Sequence, residues 1–402
     1  MPLFEQDHPR RICLSTVEYP PQVGGVGRAA QRLVRHLSEA GCDVHVVTTV
    51  YENPERDEPW SSREDEATIH RLPLLSGDVD AQALPEAEYK ALLREGAQKL
   101  AQYVFELDAR HRFELFHAFY LKMAYPLWLA ARPPRRPLIV SLRGSDIMVD
   151  IENPTMRDVF TRILTDATWV TAVNPAFLRR LDGIVPRTGG TSVIGNAVDT
   201  AALPRWEPTA ANAGVVGAVS KFRPVKNIPL LTEGYALVPA DVRRRLLMVG
   251  YWAEYCDDER LRADAIAARY GIQDEITVTG ALPATAVPAQ LLNMRVFALT
   301  SNFEGMSNAL LEALAVGTPV VTTTVAGFEE HAVAGEHLLR VDSADAPALA
   351  RAFDAVLRDE ALARRLSHGA RALAAHYSLD AERRRWFDLY GQLMAARAQP
   401  AR

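Results

Sequence analysis

Cysteine is scarce in this chain: Cys13, Cys42 and Cys256 are the three in 402 residues. Their odd number, wide spacing and apolar surroundings favour a reducing compartment over a disulfide framework. They read instead as small buried hydrophobes in a protein of a reducing compartment. An excess of positive charge is missing too. The net charge is −5 and the pI about 6.1, which removes any overall electrostatic drive toward nucleic acid. No run approaches the roughly 18 apolar residues of a membrane span, and "MPLFEQDHPRR" lacks the charged-then-apolar order of a secretory signal. The chain is therefore expected to be soluble and cytoplasmic. Solenoid repeats, low-complexity tracts and metal-spaced His or Cys clusters are absent as well.

What the chain has is apolar content for two cores. With 48% hydrophobic residues over 402 positions, two domains are the expectation. Short β-branched runs alternate with helical periodicity. "RICLST", "RAAQRLVRHLSEAG" and "CDVHVVTTV" read as strand, helix, strand, and "ATIHRLPLL", "FELFHAF", "PLIVSLRG", "TWVTAVN" and "TSVIGN" follow. The pattern restarts after a Pro- and Ala-rich stretch from Asp199 to Gly214, with "VVGAVSKF", "RRLLMVGYW", "DEITVTG", "RVFALTS" and "TPVVTTTV". The alternation predicts an α/β protein of two doubly wound domains. Beyond about Asp345 the chain is helical, and Trp386, Phe387 and Tyr390 could form one packing face.

Several residues stand out chemically. "NFEGMSNALLEALAVGTPVV" follows a strand and opens a helix, with Ser307 or Asn308 as the N-cap, so its free N–H groups and the helix dipole suit a phosphate. Glu304 and Glu312 flank that helix start. On the residues alone they either accept hydrogen bonds from sugar hydroxyls or merely offset the helix dipole and face solvent. "PPQVGGVGRAAQRL" puts Gly24, Gly25 and Gly27 between the first strand and the first helix without a G-x-G-x-x-G fingerprint. Arg28, Arg32 and Arg35 share a helix face, either solvated or facing an anionic membrane. Asp78 and Asp80 form an Asp-x-Asp in a polar stretch, read as solvated.

Taken whole, "FEGMSNALLEALAVGTPVV" resembles the donor-binding segment of the retaining glycosyltransferases of family 4, and the similarity extends in order along nearly the whole chain. It implies the GT-B fold, two facing Rossmann-like domains with an interdomain cleft. The implied boundaries are 1–200 for the acceptor side, 201–375 for the donor side and 376–402 for a helix returning to the first domain. By this resemblance Glu304 contacts the transferred sugar, Glu312 holds the ribose hydroxyls, and the amides of Met306, Ser307 and Asn308 meet the sugar and diphosphate. "VGAVSKFRPVKNIPLL" aligns Lys221 and Lys226 with two diphosphate-binding cations, although the family usually has Arg at the first. "VAGFEEHAVAG" aligns Glu330 with an acidic position and leaves Glu329 at the surface.

In the first half the resemblance brings the Gly24, Gly25 and Gly27 loop to the phosphates and makes His117 a catalytic-site contact with the donor sugar. "SLRGSDI" resembles a His-Gly-Ser-Asp segment, with Arg143 in place of the His; Arg143 and Asp146 become substrate-binding candidates and an anionic acceptor is suggested. The implied reaction is metal-independent transfer from a nucleotide-diphosphate sugar with retention, Glu304, His117 and Lys226 serving catalysis and no cofactor required. A sugar-nucleotide binder without turnover, or a phosphorylase or epimerase on the same fold, are the competing expectations.

Overall fold

The computed structural model describes residues 9–22, 24–50, 58–73, 86–132, 136–187, 189–253, 256–342 and 345–398. The chain divides into two units, Met1–Gly195 with Glu382–Arg402, and Asn196–Ala381. Asp78 and Asp80 lie outside the described residues. Among the described residues no helix is long and apolar enough to cross a membrane.

Among the described residues, unit 1 is built on eight strands: β1 (Arg11–Thr16), β2 (Asp43–Val50), β3 (Trp60–Glu64), β4 (Ala67–Pro73), β5 (Leu115–Ala118), β6 (Leu138–Leu142), β7 (Trp169–Ala172) and β8 (Gly190–Val193). Their spatial order is β3-β4-β2-β1-β5-β6-β7-β8. All neighbours are parallel except β3 and β4, whose hairpin turns at Asp65 and Glu66 with φ of 47° and 64°. Sequence patterning does not reveal β3, because "WSSRE" carries no apolar alternation. Its anchor is polar: buried Arg71 on β4 donates to Ser62 Oγ (2.8 Å) and to both Glu64 oxygens (2.9 and 3.1 Å).

The inner strands are apolar along their length because the sheet is covered on both faces. The helix Gly25–Glu39 buries Ala29, Ala30, Leu33, Val34 and Leu37. Trp386, Leu389, Tyr390, Leu393 and Met394 of the helix Leu379–Ala398 join the same core. Trp386 and Tyr390 are buried as the aromatic face requires, and Phe387 sits half-buried at its flank. Arg32 forks onto the buried Glu382 carboxylate at 3.1 and 3.2 Å, and Arg35 lies 3.0 Å from Asp65, so part of the basic row is committed inside unit 1. Burial alone would raise the Glu382 carboxyl, but Arg32 and His36 hold it below its ordinary value.

Two buried histidines limit the acid stability of this unit. Burial, with the charges of His45 and His111 opposing a further proton, lowers His70 to about 4. Burial and Arg143 lower His117 to about 3. Both are neutral when folded, whereas the unfolded chain takes up these protons near pH 6.5, so stability falls as pH drops below 6.5. The expected loss is about 2 kcal/mol per histidine by pH 5. Urea midpoints at pH 7 and pH 5 check this; an unchanged midpoint refutes it.

Unit 2 carries β9 (Val215–Phe222), β10 (Arg245–Trp252), β11 (Ile276–Val278), β12 (Val296–Leu299), β13 (Val320–Thr322) and β14 (Leu339–Arg340). They are parallel, in the order β11-β10-β9-β12-β13-β14. From β9 the chain builds outward to β10 and β11, then returns to place β12 on the other side of β9. That reversal makes a switch point between β9 and β12, and ligands of open α/β sheets bind beyond the carboxyl ends of such a pair.

Candidate active site

Two loops meet at this switch point. After β9 a short turn, Pro224–Lys226, leads to Asn227, whose left-handed backbone (φ 48°) Asn tolerates and whose side chain caps the helix Ile228–Ala236. After β12 comes the segment 300–307. Asn302 N–H donates to the Val225 carbonyl (2.8 Å), and Thr300 Oγ1 donates to the carbonyls of Lys226 (2.9 Å) and Asn227 (3.2 Å). Asn227 Nδ2 reaches Asn302 Oδ1 at 3.1 Å. With the backbones stitched together, Lys226 Nζ sits 2.6 Å from Glu304 Oε1, the two side chains being 15% and 13% exposed. Buried Ser301 donates its hydroxyl to the same oxygen at 2.6 Å.

Beyond Glu304 the chain enters the helix Asn308–Val316. Ser307 is its N-cap, accepting from Leu310 N–H at 3.2 Å, and Gly317 ends it with φ 87°. Glu312 is half-buried on this helix. Buried Met306 is gripped by Asn196, whose Nδ2 donates to the Met306 carbonyl at 2.9 Å. Gly327, at φ 86°, packs so closely that a Cβ there would lie 2.6 Å from Met306 Cγ. Glu329, expected at the surface, is exposed but accepts from Gly327 N–H at 2.7 Å. Glu330 has a 76% exposed side chain beside His331. Lys221 lies on β9, exposed, its Nζ 5.5 Å from the Tyr251 ring centroid.

The unit 1 candidates are spread through that unit's core and its first loop. Gly24 caps the helix Gly25–Glu39, and a Cβ there would displace the Glu18 carboxylate that lies against it. At Gly27 a Cβ would approach the Glu18 carbonyl at 3.1 Å. An acidic side chain of the protein itself therefore lies against the glycine loop. His117 is fully buried, with Nδ1 2.7 Å from Tyr390 Oη and Nε2 2.7 Å from Ser141 Oγ. Both ring nitrogens are engaged inside the core, which differs from the ligand contact expected of it. Arg143 is 9% exposed and stacks over Phe119 at 4.5 Å; burial, partly offset by Glu382, lowers its guanidinium to about 10. Asp146 is buried and accepts from the N–H groups of Arg143, Gly144 and Ile147, so its oxygens shape the loop. Among the described residues no group of three or more His, Cys, Asp or Glu could hold a metal ion.

Residues 24–197 match the family model for a glycosyl transferase 4-like domain, and residues 204–373 match that for glycosyl transferases group 1. The chain belongs to these glycosyltransferases. It is similar to the N-acetyl-alpha-D-glucosaminyl L-malate synthase of Bacillus anthracis, 23% identical over 363 residues, covering 87% of this chain and 89% of that protein. Among solved structures it resembles sucrose-phosphate synthase from Thermosynechococcus elongatus, with TM-score 0.81, 23% identity and coverage of 96% of this chain and 100% of that one. It also resembles Anabaena HepE in complex with UDP-glucose, with TM-score 0.73, 17% identity and coverage of 95% and 99%. The fold is GT-B, as the resemblance of the sequence implies.

Sequence reasoning about this glycosyltransferase missed Ser301, Thr300 and the Asn227–Asn302 pair. Ser301 and Asn302 fall within the strand-end "RVFALTSN", where polar residues mark only the end of the strand. Asn227 was open to detection, since Asn followed by Ile-Pro is a helix-start signal.

Proposed function

We propose that the glycosyltransferase moves a sugar from a nucleotide-diphosphate sugar to an acceptor hydroxyl, with retention at the anomeric carbon and without a metal ion. The observation that carries this reading is the Lys226–Glu304 pair at the β9/β12 switch point, beside the capped start of the helix Asn308–Val316. Glycosyl transfer builds positive charge on the ring and negative charge on the leaving diphosphate. Glu304 serves the first; Lys226 and the amides of Met306, Ser307 and Asn308 serve the second. The leaving phosphate takes the acceptor proton on the same face as the new bond forms. Ser301 is a positioning residue that keeps one Glu304 oxygen in place, and His117 supports the core beneath the unit 1 loops. Glu312 holds the ribose hydroxyls. Relatives named N-acetyl-alpha-D-glucosaminyl L-malate synthase and D-inositol 3-phosphate glycosyltransferase support an acceptor bearing a carboxylate or phosphate, which Arg143 would suit.

A panel of UDP-, GDP-, dTDP- and ADP-sugars identifies the donor, since a ligand at about 100 times its dissociation constant stabilises by about 2.7 kcal/mol. Proton NMR of the product then reads the anomeric configuration; an inverted product sinks the proposal. Transfer should persist in excess EDTA. Complete loss on chelation, restored by magnesium or manganese, would overturn metal independence. Glu312→Ala should raise the donor KM by roughly tenfold to a hundredfold with kcat little changed, because ribose contacts far from the reacting carbon are alike before and during transfer. Unchanged donor affinity would remove Glu312 from the ribose site.

A further inference from the structure

A second region of unit 2 has charge that its own carboxylates do not balance. An open groove of about 520 Å³ is lined by Arg205, Trp206, Glu207, Arg364, Ser367 and Arg371, among others. Arg364 is already committed, donating to Glu207 at 2.8 Å and to Glu360 at 2.9 and 3.1 Å. Behind Trp206, whose ring centroid is 5.7 Å from its guanidinium, Arg295 is 6% exposed and donates its Nε to the Val356 carbonyl at 3.4 Å. Arg205, Arg295 and Arg371 form no ion pair among the described residues, although the Glu360 charge acts on Arg295. Four guanidiniums thus face two carboxylates.

The groove lies at the carbonyl end of the helix Asn308–Val316. Trp206 N–H donates to the Val316 carbonyl at 2.9 Å, and a Cβ on Gly317 would come within 2.9 Å of Arg371 Cδ and Ser367 Oγ. That helix end contributes about −0.5 of a charge. An excess of between one and two positive charges remains, which matches one dianion. Trp206 is 3% exposed, so no aromatic face is open for a nucleobase to stack on. The volume suits one small molecule.

We propose that this groove binds a small phosphate-bearing dianion, such as a phosphate monoester, held by Arg205 and Arg371 with the Ser367 hydroxyl. The site is separate from the loops that carry Lys226 and Glu304, which lie at the opposite end of a nine-residue helix, roughly 13 Å long. The inference does not depend on the glycosyl-transfer reading.

Phosphorus NMR line broadening of inorganic phosphate by the full-length protein, at fixed ionic strength, tests it. Lys226→Ala should retain the broadening. Arg205→Gln with Arg371→Gln should weaken phosphate binding about tenfold or more. Glu207→Gln, which removes an opposing carboxylate, should tighten it. Should the double variant unfold, Arg205→Gln alone is informative, because Arg205 is exposed on the rim; about threefold weakening is expected. Loss of the broadening in Lys226→Ala, or no change in the arginine variants, would overturn the proposal.

Discussion

Lys226→Ala should lower turnover at saturating donor by about 100- to 1,000-fold. The ammonium sits 2.6 Å from Glu304, both side chains being mostly shielded from water, where a charge acts more strongly than in solution. Under the proposed reaction, negative charge on the diphosphate grows as the glycosidic bond breaks, so part of the lysine's interaction exists only in the transition state. Binding of the ground state should suffer less than kcat. The substitution also strands Glu304, whose side chain is only 13% exposed and would keep Ser301 as its hydrogen-bond donor. A melting temperature for the variant separates a small loss of stability from a loss of chemistry. Full turnover at saturation in a folded Lys226→Ala protein would remove the lysine from the reaction.

The second large effect concerns stability. Deleting residues 382–402 should leave unit 1 unable to fold. Trp386, Leu389, Tyr390, Leu393 and Met394 are each buried in its core. Burying a large apolar side chain contributes about 1.5–3 kcal/mol, so five together rival the 5–15 kcal/mol by which whole domains are stable. Two polar losses add to this. Arg32 would lose the Glu382 carboxylate, and His117 would lose both the Tyr390 hydroxyl and the Trp386 and Tyr390 rings packed against it. Limited proteolysis should cut residues 9–195 of the truncated chain rapidly while sparing 196–381. Equal resistance of both halves would show that the helix is dispensable.

The strands of both sheets were legible where apolar runs were long, as in "VVGAVSKF" and "RRLLMVGYW". β3 and β14 were not: the first is polar and held by Arg71 across the hairpin instead of by an apolar pattern, and the second is two residues long. In the site, Lys226 and Glu304 were legible through motif and loop position, but their direct pairing was not, since it depends on how Thr300 and Asn302 tie two loops 75 residues apart. His117 shows the opposite limit. A histidine at a strand end looks the same in sequence whether it faces a ligand or a wall of core, and only Tyr390, 273 residues later, decides the matter. The Glu18 carboxylate against Gly24 likewise has no local signature.

The placement of Glu382–Arg402 within unit 1 also orders events on the ribosome. Residues 196–381 leave the exit tunnel as a complete folding unit, whereas the first 195 residues must wait for a helix encoded some 190 codons later. At 5–20 residues per second that interval is roughly 10 to 40 s. During it, the surface that will receive Trp386 and Tyr390 stays open to water and to other nascent chains. Unit 2 therefore completes before unit 1, and slowing translation would lengthen the exposure of unit 1.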